Sequence, residues 1–411
     1  MNIVLLSRYF PPEIGTAANL FFGLAKELTA SGSKVTVVTS FPWYNLNEIP
    51  KKYRGKMFMR ENMVGVEVIR VSFPLVGPKV FKLAIGHLTA PVASFVGGLF
   101  VKKIDIIYVY SPPIFMALSA WLLKIFKKAP FVLGVQDLHP QCYIDQGALK
   151  NKALIAILRA IEKFCYKKAD AITVHSIGNK EYITAGGIND KKVKVLPNWV
   201  DTDEIKPLPR KNEFSGEHSL NDKFVVGYAG TFGISQGLLS VMDAAKLLLD
   251  RKDIEFFLVG DGVEKKDMEN RKEALKLDNV RLLGMQPSSV YPFVVASCDV
   301  GLVTLNKKVK TPVVPSKILS MMAASRTVLA SMALDGDAPK LINDARCGLT
   351  VGAEEPVLLA EKIRFLADNR DKCEEFGRSG REYVVNNFSL KKVAADIVNI
   401  FADIISKSGR R

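Results

Sequence analysis

The chain has 411 residues, more than one hydrophobic core normally organises, and 48% of them are apolar, so two domains are expected. Its net charge of +15 is uneven, because residues 1–200 carry 26 Lys and Arg against 12 Asp and Glu, while the remainder is nearly neutral. No RNP1 pattern or zinc finger accompanies this charge, which disfavours a nucleic-acid-binding protein. The basic half therefore indicates anionic lipid or a phosphorylated substrate, with basicity for general solubility as the alternative.

The five cysteines are scattered, without a CxxC motif or zinc-like spacing. This pattern predicts reduced structural thiols in a cytosolic protein. The apolar residues 1–6 are followed at once by Arg8, so no signal peptide is expected.

The first 39 residues predict a βαβ unit. Residues 2–7 (NIVLLS) and 34–39 (KVTVVT) are typical of buried strands, and residues 17–31 place apolar side chains at helical spacing. The loop YFPPEIGT follows the first strand, at the edge where doubly wound folds bind ligands. Gly15 would let the backbone approach a ligand there, although an ordinary turn glycine is an equally good interpretation. The loop lacks GxGxxG, so a dinucleotide site is not indicated.

Residues 83–101 form an almost wholly apolar segment with lysines on both sides. Residues 65–71 and 104–110 are predicted strands that flank it. Its length approaches that of a membrane span, but strands of one sheet must remain on one side of a membrane. Pro91, Gly97 and Gly98 also weaken a straight span. A membrane-dipping or interfacial segment, a buried helix and a true span all remain open, and the flanking lysines favour the first.

A polar loop, QDLHPQ, follows the predicted strand 131–135 (FVLGV). Asp137 and His139 in this loop could perform acid–base or hydrogen-bonding work in a cleft. Alternatively, Asp137 caps the next turn. His175, at the end of strand 171–174, is expected to be a structural histidine.

A second series of alternating strands and helices begins at residue 224, after a stretch rich in proline and charge. We predict an α/β fold of two facing, doubly wound, Rossmann-like domains with a cleft between them. The expected boundaries are 1–200 for a first domain with a membrane-facing segment, 201–222 for a linker, 223–387 for a second domain, and 388–411 for a final helix that could pack back on the first domain.

Residues 311–320 (TPVVPSKILS) predict an extended loop that enters a helix. Ser316 is the expected N-cap, and Lys317 lies in the first turn. A lysine there is unfavourable because its charge opposes the helix dipole. A bound anion would offset this cost, since both the N–H groups and the ammonium would bind the anion. An ordinary turn with a solvated lysine is the alternative.

These motifs, in this order, resemble the family-4 glycosyltransferases of GT-B fold along almost the whole chain. The first βαβ unit, VLPNWVD at 195–201, YAGTFGISQGL at 228–238, FLVGDG at 257–262 and the PSK stretch carry the resemblance. QDLHPQ is similar to a loop of bacterial members that build surface polysaccharides.

The chain also departs from the family pattern. Thr231 and Gln236 stand where many members have Arg and Lys, and Pro312 and Ser320 replace two glutamates eight residues apart. The usual ribose-binding carboxylate is therefore missing. The PSK pattern is similar to that of the subgroup that transfers N-acetylated amino sugars, while Gln141 replaces the glutamate usual in the polysaccharide subgroup.

The resemblance implies transfer of a sugar from a nucleotide diphosphate donor, expected to be UDP-linked, with retention of configuration and without a metal or other cofactor. Electrostatic stabilisation of the leaving diphosphate would drive catalysis. The resemblance also implies that the first domain (1–200) binds the acceptor, with Asp137 and His139 near the chemistry, and that the second domain (223–387) binds the nucleotide sugar. The expected nucleotide-sugar-binding residues are Gly15, Gly230, Gly233, Gly260, Arg281, Ser316 and Lys317.

A polyprenyl-diphosphate-linked or glycan acceptor would account for the basic half and for the apolar segment. We accordingly expect a cytoplasmic protein held peripherally at the inner face of the cytoplasmic membrane. Two other functions remain open: a sugar-nucleotide 2-epimerase of GT-B fold, and a non-catalytic partner that keeps the fold and has lost the chemistry.

Overall fold

The computed structural model describes residues 1–13, 15–42, 48–72, 79–145 and 147–409, and the side chains of all of these except residues 16 and 79–88. The chain forms two compact units. The first comprises Met1–Asn198 with Leu390–Arg411, and the second comprises Trp199–Ser389.

The first unit contains an eight-stranded sheet in the order β3-β4-β2-β1-β5-β6-β7-β8. Its strands are β1 Asn2–Leu6, β2 Lys34–Thr39, β3 Phe58–Met63, β4 Val66–Val71, β5 Ile106–Ser111, β6 Phe131–Val135, β7 Ala171–Val174 and β8 Val193–Val195. Its helices before the second unit are α1 Thr16–Ala30, α2 Lys79–Leu99, α3 Met116–Lys127, α4 Gln141–Asp145, α5 Lys152–Lys168 and α6 Ile177–Ala185. Every strand pair is parallel except β3 with β4. The central strands consist of continuous apolar residues because helices cover both faces of the sheet.

Sequence reasoning missed β3. Its residues, FMRENM, alternate between exposed and half-buried because β3 is an edge strand with one solvated face. Gly65, at a φ of 82°, lies in the turn that joins β3 to β4.

Helices α2, α3 and α5 pack on one face of this sheet, over a core that includes Val4, Leu6 and Val38. The described second half of α2 is closely packed. A Cβ on Gly97 would lie 2.6 Å from Val38 Cγ1, and one on Gly98 would lie 2.4 Å from Leu123 Cδ1. This part of the segment 83–101 is therefore core on its inner side, as the buried-helix interpretation expects, while the side chains of residues 83–88 lie outside the described ones. Across the described ranges, no helix is both long and apolar enough to span a bilayer.

The second unit contains a six-stranded, all-parallel sheet in the order β11-β10-β9-β12-β13-β14. Its strands are β9 Phe224–Thr231, β10 Ile254–Asp261, β11 Val280–Leu283, β12 Val300–Thr304, β13 Thr327–Ser331 and β14 Gly348–Val351. Its helices are α7 Glu213–Glu217, α8 Leu238–Lys246, α9 Lys265–Leu275, α10 Tyr291–Ala296, α11 Ser316–Ala323, α12 Asp337–Asp344, α13 Pro356–Asp368 and α14 Arg370–Phe388.

Residues 201–222, predicted as a linker, lie within the second unit. Asn212 caps α7, and the Arg210 guanidinium lies 2.8 Å from the Asp299 carboxylate. The last helix, α15 Leu390–Lys407, belongs to the first unit, where the Phe401 ring lies 5.6 Å from that of Tyr108.

Candidate functional site

Two glycines allow three segments to meet at the carboxyl ends of β9 and β10. Gly260 pairs with Gly230 across the two strands, and a Cβ on Gly260 would lie 1.9 Å from the Gly230 carbonyl oxygen. A Cβ on Gly230, whose φ is 153°, would lie 2.4 Å from Lys317 Cε. Neither position has room for a larger residue, so the two glycines bring Lys317 against the end of β9.

The Lys317 ammonium lies against a neutral amide and an aromatic ring. Its Nζ donates to Gln236 Oε1 at 3.2 Å and lies 4.9 Å from the centre of the Tyr228 ring. Within the described ranges, no carboxylate lies within ion-pair distance of this ammonium. Although part of the side chain reaches solvent, the surrounding protein desolvates it and lowers the pKa of Lys317 to about 8. A desolvated ammonium with only a neutral amide and a ring beside it would be stabilised by a bound anion.

Lys317 lies in the first turn of α11. The N-cap is Pro315, which makes no side-chain capping bond, and Ser316 is the first helical residue. The prediction that Ser316 is the N-cap was therefore wrong, because Pro315 has the extended backbone of a cap and its carbonyl accepts from Ile318 N–H at 3.0 Å. In the part of the chain that the structure describes, the N–H groups of Ser316 and Lys317 make no backbone hydrogen bond. They remain donors for an anion.

The turn that carries Gln236 is held by two residues that sequence reasoning missed. Asn306, after β12, donates from Nδ2 to the Ile234 carbonyl at 2.7 Å and from its backbone N–H to the Ser235 carbonyl at 2.9 Å. The Tyr228 hydroxyl donates to the Thr231 carbonyl at 2.7 Å and lies 3.2 Å from Gln236 Oε1. No local pattern marks Asn306, because it acts on a turn 72 positions earlier in the chain.

Gly233 immediately precedes this turn and has ordinary extended backbone, with room for a Cβ. Arg281 does not join the cluster. Its Nε donates to Glu255 at 2.5 Å and its guanidinium also donates to the His218 carbonyl at 2.5 Å. Glu255 lies at the amino-terminal end of β10, so this arginine makes a structural ion pair away from Gly260.

In the first unit, the loop after β6 carries Asp137 and His139. The Asp137 side chain is exposed and makes no hydrogen bond to the described residues, which removes the capping interpretation. Although this side chain reaches solvent, the protein on its other sides partly desolvates the carboxylate and raises the pKa of Asp137. His139 is buried, with Nδ1 3.7 Å from Cys142 Sγ, and Nε2 has no partner among the described atoms. Burial lowers the pKa of His139 to about 4, so the imidazole is neutral at pH 7.

Other residues of this loop and its surroundings are tied into the fold. Gln141 Oε1 accepts from Arg159 at 3.0 Å and from Tyr182 at 3.3 Å. His175 Nε2 lies 3.0 Å from the Gln136 carbonyl and 2.9 Å from Asn179 Nδ2, in keeping with a structural histidine.

Gly15 is the N-cap of α1, and its extended backbone requires no glycine. A Cβ there would meet no described atom within 4 Å. As far as the described atoms go, the ligand-approach interpretation of Gly15 has the room that it needs. Within the described ranges, no group of three or more His, Cys, Asp or Glu side chains could hold a metal ion.

Two family models match the two halves of the chain. The model of the glycosyl transferase 4-like domain matches residues 15–199, and that of the group 1 glycosyl transferases matches residues 223–369. The chain is a family-4 glycosyltransferase of GT-B fold.

The bacterial relatives of this glycosyltransferase include WbjE and WcaI. WbjE of Pseudomonas aeruginosa, named as a glycosyltransferase, is 28% identical over 64% of this chain. The match spans 66% of the length of WbjE, just under two thirds. WcaI of Escherichia coli K12, named as a glycosyl transferase of colanic acid biosynthesis, is 23% identical over 79% of this chain and 81% of its own.

A solved structure of Anabaena HepE in complex with UDP-glucose shares the fold. It superimposes with a TM-score of 0.73 at 18% identity, covering 98% of this glycosyltransferase and 100% of HepE. At this identity the likeness supports the fold alone.

Proposed function

We propose that this glycosyltransferase moves a sugar from a UDP-linked donor to a lipid-linked or polysaccharide acceptor, with retention of configuration. The observation that carries the proposal is Lys317, a desolvated lysine in the first turn of α11 that lies against Gly230 and has no charged partner among the described residues. A diphosphate would supply the missing negative charge and accept from the N–H groups of Ser316 and Lys317.

The chemistry follows from where charge develops. As the bond between the anomeric carbon and the diphosphate breaks, negative charge grows on the diphosphate oxygens, and the donors that already face it become more strongly bound. Gly230 and Gly233 would let the backbone come close to the phosphates, and Gly260 would lie beside them. The Arg281–Glu255 ion pair supports a structural role for Arg281 over contact with the base.

In the first unit, we place the acceptor and the reacting sugar near Asp137, His139 and Gly15. The raised pKa of Asp137 favours a carboxylate that can accept a proton or a hydrogen bond from a hydroxyl. The unpartnered Nε2 of neutral His139 is a further donor or acceptor. An N-acetyl amino sugar is the donor sugar that the PSK pattern favours.

The name of WcaI, a glycosyl transferase of colanic acid biosynthesis, supports a role in bacterial polysaccharide synthesis. Such an enzyme would use a polyprenyl-diphosphate-linked acceptor at the inner face of the cytoplasmic membrane. The excess positive charge of residues 1–200 supports peripheral attachment to anionic lipid there.

The test is a thermal-shift screen with UDP-, GDP- and dTDP-sugars, followed by transfer of label from the stabilising donor to a bacterial lipid extract. A ligand that binds only the native state raises its apparent stability. We expect stabilisation by UDP-sugars and label in the lipid fraction. Sugar release or epimerisation without an acceptor would instead support the epimerase, and stabilisation without turnover would support a non-catalytic protein.

A further inference from the structure

The outward side of three neighbouring helices in the first unit is apolar. We define the outer helical face as the solvent-facing side of residues 89–99 of α2, of α3 and of α5. Its most exposed apolar side chains, with their exposed fractions, are Val92 (53%), Leu99 (39%), Ile125 (54%), Phe126 (66%), Leu154 (44%) and Ile157 (57%). The inner sides of the same helices already bury their own apolar residues against the sheet, so these six are surplus to the core.

Ring contacts join the three helices along this face. The Phe95 ring of α2 lies 5.4 Å from that of Phe126 on α3, and the Trp121 ring of α3 lies 5.0 Å from that of Phe164 on α5. All but the exposed Phe126 are partly buried, and they continue the apolar surface from helix to helix. The outer helical face is therefore one surface, not three separate patches.

The charges of these helices have one sign. Helices α2 and α3 contain no acidic residue, and α5 contains only Glu162. Glu162 is buried and accepts from the Tyr166 hydroxyl at 2.9 Å, so it does not face solvent. Seven lysines and arginines lie on the segments that form the face, two on α3 and five on α5. By contrast, α9 and α14 of the second unit carry both signs, with three and four acidic residues.

We infer that the outer helical face docks on an anionic lipid bilayer. Exposed aliphatic and aromatic side chains at the surface of a helix enter the boundary between headgroups and acyl chains, while lysines beside them attract anionic headgroups. A second copy of the chain fits less well, because two such faces would bring like charges together. This inference rests on the proposed function, since a lipid-linked acceptor requires the enzyme to work at a membrane.

One arm of the test removes apolar contacts. We would pair Ile125→Ser with Ile157→Ser and measure binding to vesicles of phosphatidylcholine with 30% phosphatidylglycerol by flotation. The matched control is Leu334→Ser with Val357→Ser, which removes equally exposed apolar side chains from the second unit. The first pair should weaken binding at least tenfold, and the control pair should change it less than twofold.

The other arm reverses charges. Lys152→Glu with Lys163→Glu changes two exposed lysines of α5, and Lys266→Glu with Lys340→Glu makes the same change in net charge on the second unit. The first pair should abolish the preference for anionic over neutral vesicles, and the second should leave most of it. Binding by the unaltered protein should weaken as salt rises, because the charges are screened.

Three results would overturn the inference: equal binding of the unaltered protein to neutral and anionic vesicles, equal loss in the variants and their controls, or a dimer in sedimentation that only the outer-face variants dissociate. Circular dichroism and thermal midpoints would establish that each variant is folded. UDP affinity, measured without vesicles, should be unchanged in all four. If the unaltered protein bound vesicles but not UDP, the proposed function would fail while the docking surface stood.

Discussion

Lys317→Ala is the change that tests the donor site most directly. The surrounding protein lowers the pKa of Lys317 from 10.5 to about 8, which corresponds to about 3 kcal/mol against the charged form. A bound diphosphate would recover much of this free energy. A charge-assisted hydrogen bond independently accounts for about 1.5–3 kcal/mol. Both values predict that UDP affinity and kcat/KM fall by roughly ten- to 150-fold.

The assay compares UDP with uridine by titration calorimetry. Uridine lacks phosphate, so Lys317→Ala should leave its affinity almost unchanged. Lys340→Ala, which removes an exposed lysine from α12, is the control and should affect neither ligand. Gly230→Ala provides a second approach, because its Cβ would collide with Lys317 Cε and displace the ammonium. Like Lys317→Ala, Gly230→Ala should weaken UDP binding.

The pH dependence gives an independent check. The phosphate of UDP is ionised above about pH 7, so between pH 7 and 9.5 the main change at this site is loss of the Lys317 proton. UDP affinity should therefore fall with rising pH, and Lys317→Arg, which stays charged, should flatten the profile. Equal loss of UDP and uridine affinity in Lys317→Ala, or loss of neither, would refute the assignment of this lysine to the diphosphate.

Three further predictions concern the first unit. Asp137→Asn should lower kcat much more than it changes UDP affinity, because its carboxylate acts on the reacting groups; an unchanged kcat would remove it from the chemistry. Arg70→Met should cost about 3–5 kcal/mol in urea unfolding, since the fully buried guanidinium lies 2.6 Å from Glu61 and donates to the Ser40 and Pro11 carbonyls; a loss below 1 kcal/mol would contradict this. His139 has a folded pKa of about 4 against an ordinary 6.5, so the unfolded state takes up the proton first as pH falls. Stability should drop by up to about 3 kcal/mol between pH 6.5 and 4, and His139→Gln should remove that part of the drop. An identical pH dependence in the variant would show that His139 is not the cause.

The sequence by itself determined the class of fold, and it predicted the helix terminus on which the proposed diphosphate site rests. Alternating apolar runs and helical patterns predicted two successive βα series, because strands covered on both faces must be apolar throughout. The PSK stretch predicted a helix terminus with a lysine in its first turn. Both features are local, since a few neighbouring residues set backbone conformation and burial.

Contacts between distant residues were decided by tertiary structure alone. Lys317 meets the side chain of Gln236, 81 positions away, and its desolvation follows from that packing. Arg281, expected at the nucleotide, pairs with Glu255 on the neighbouring strand, and the N-cap of α11 is Pro315 and not Ser316. The outer helical face also needed the structure. The sequence does not show whether an apolar residue of a helix faces the sheet or solvent. Only the packing of α2, α3 and α5 distinguishes the apolar residues of the core from those of the outer helical face.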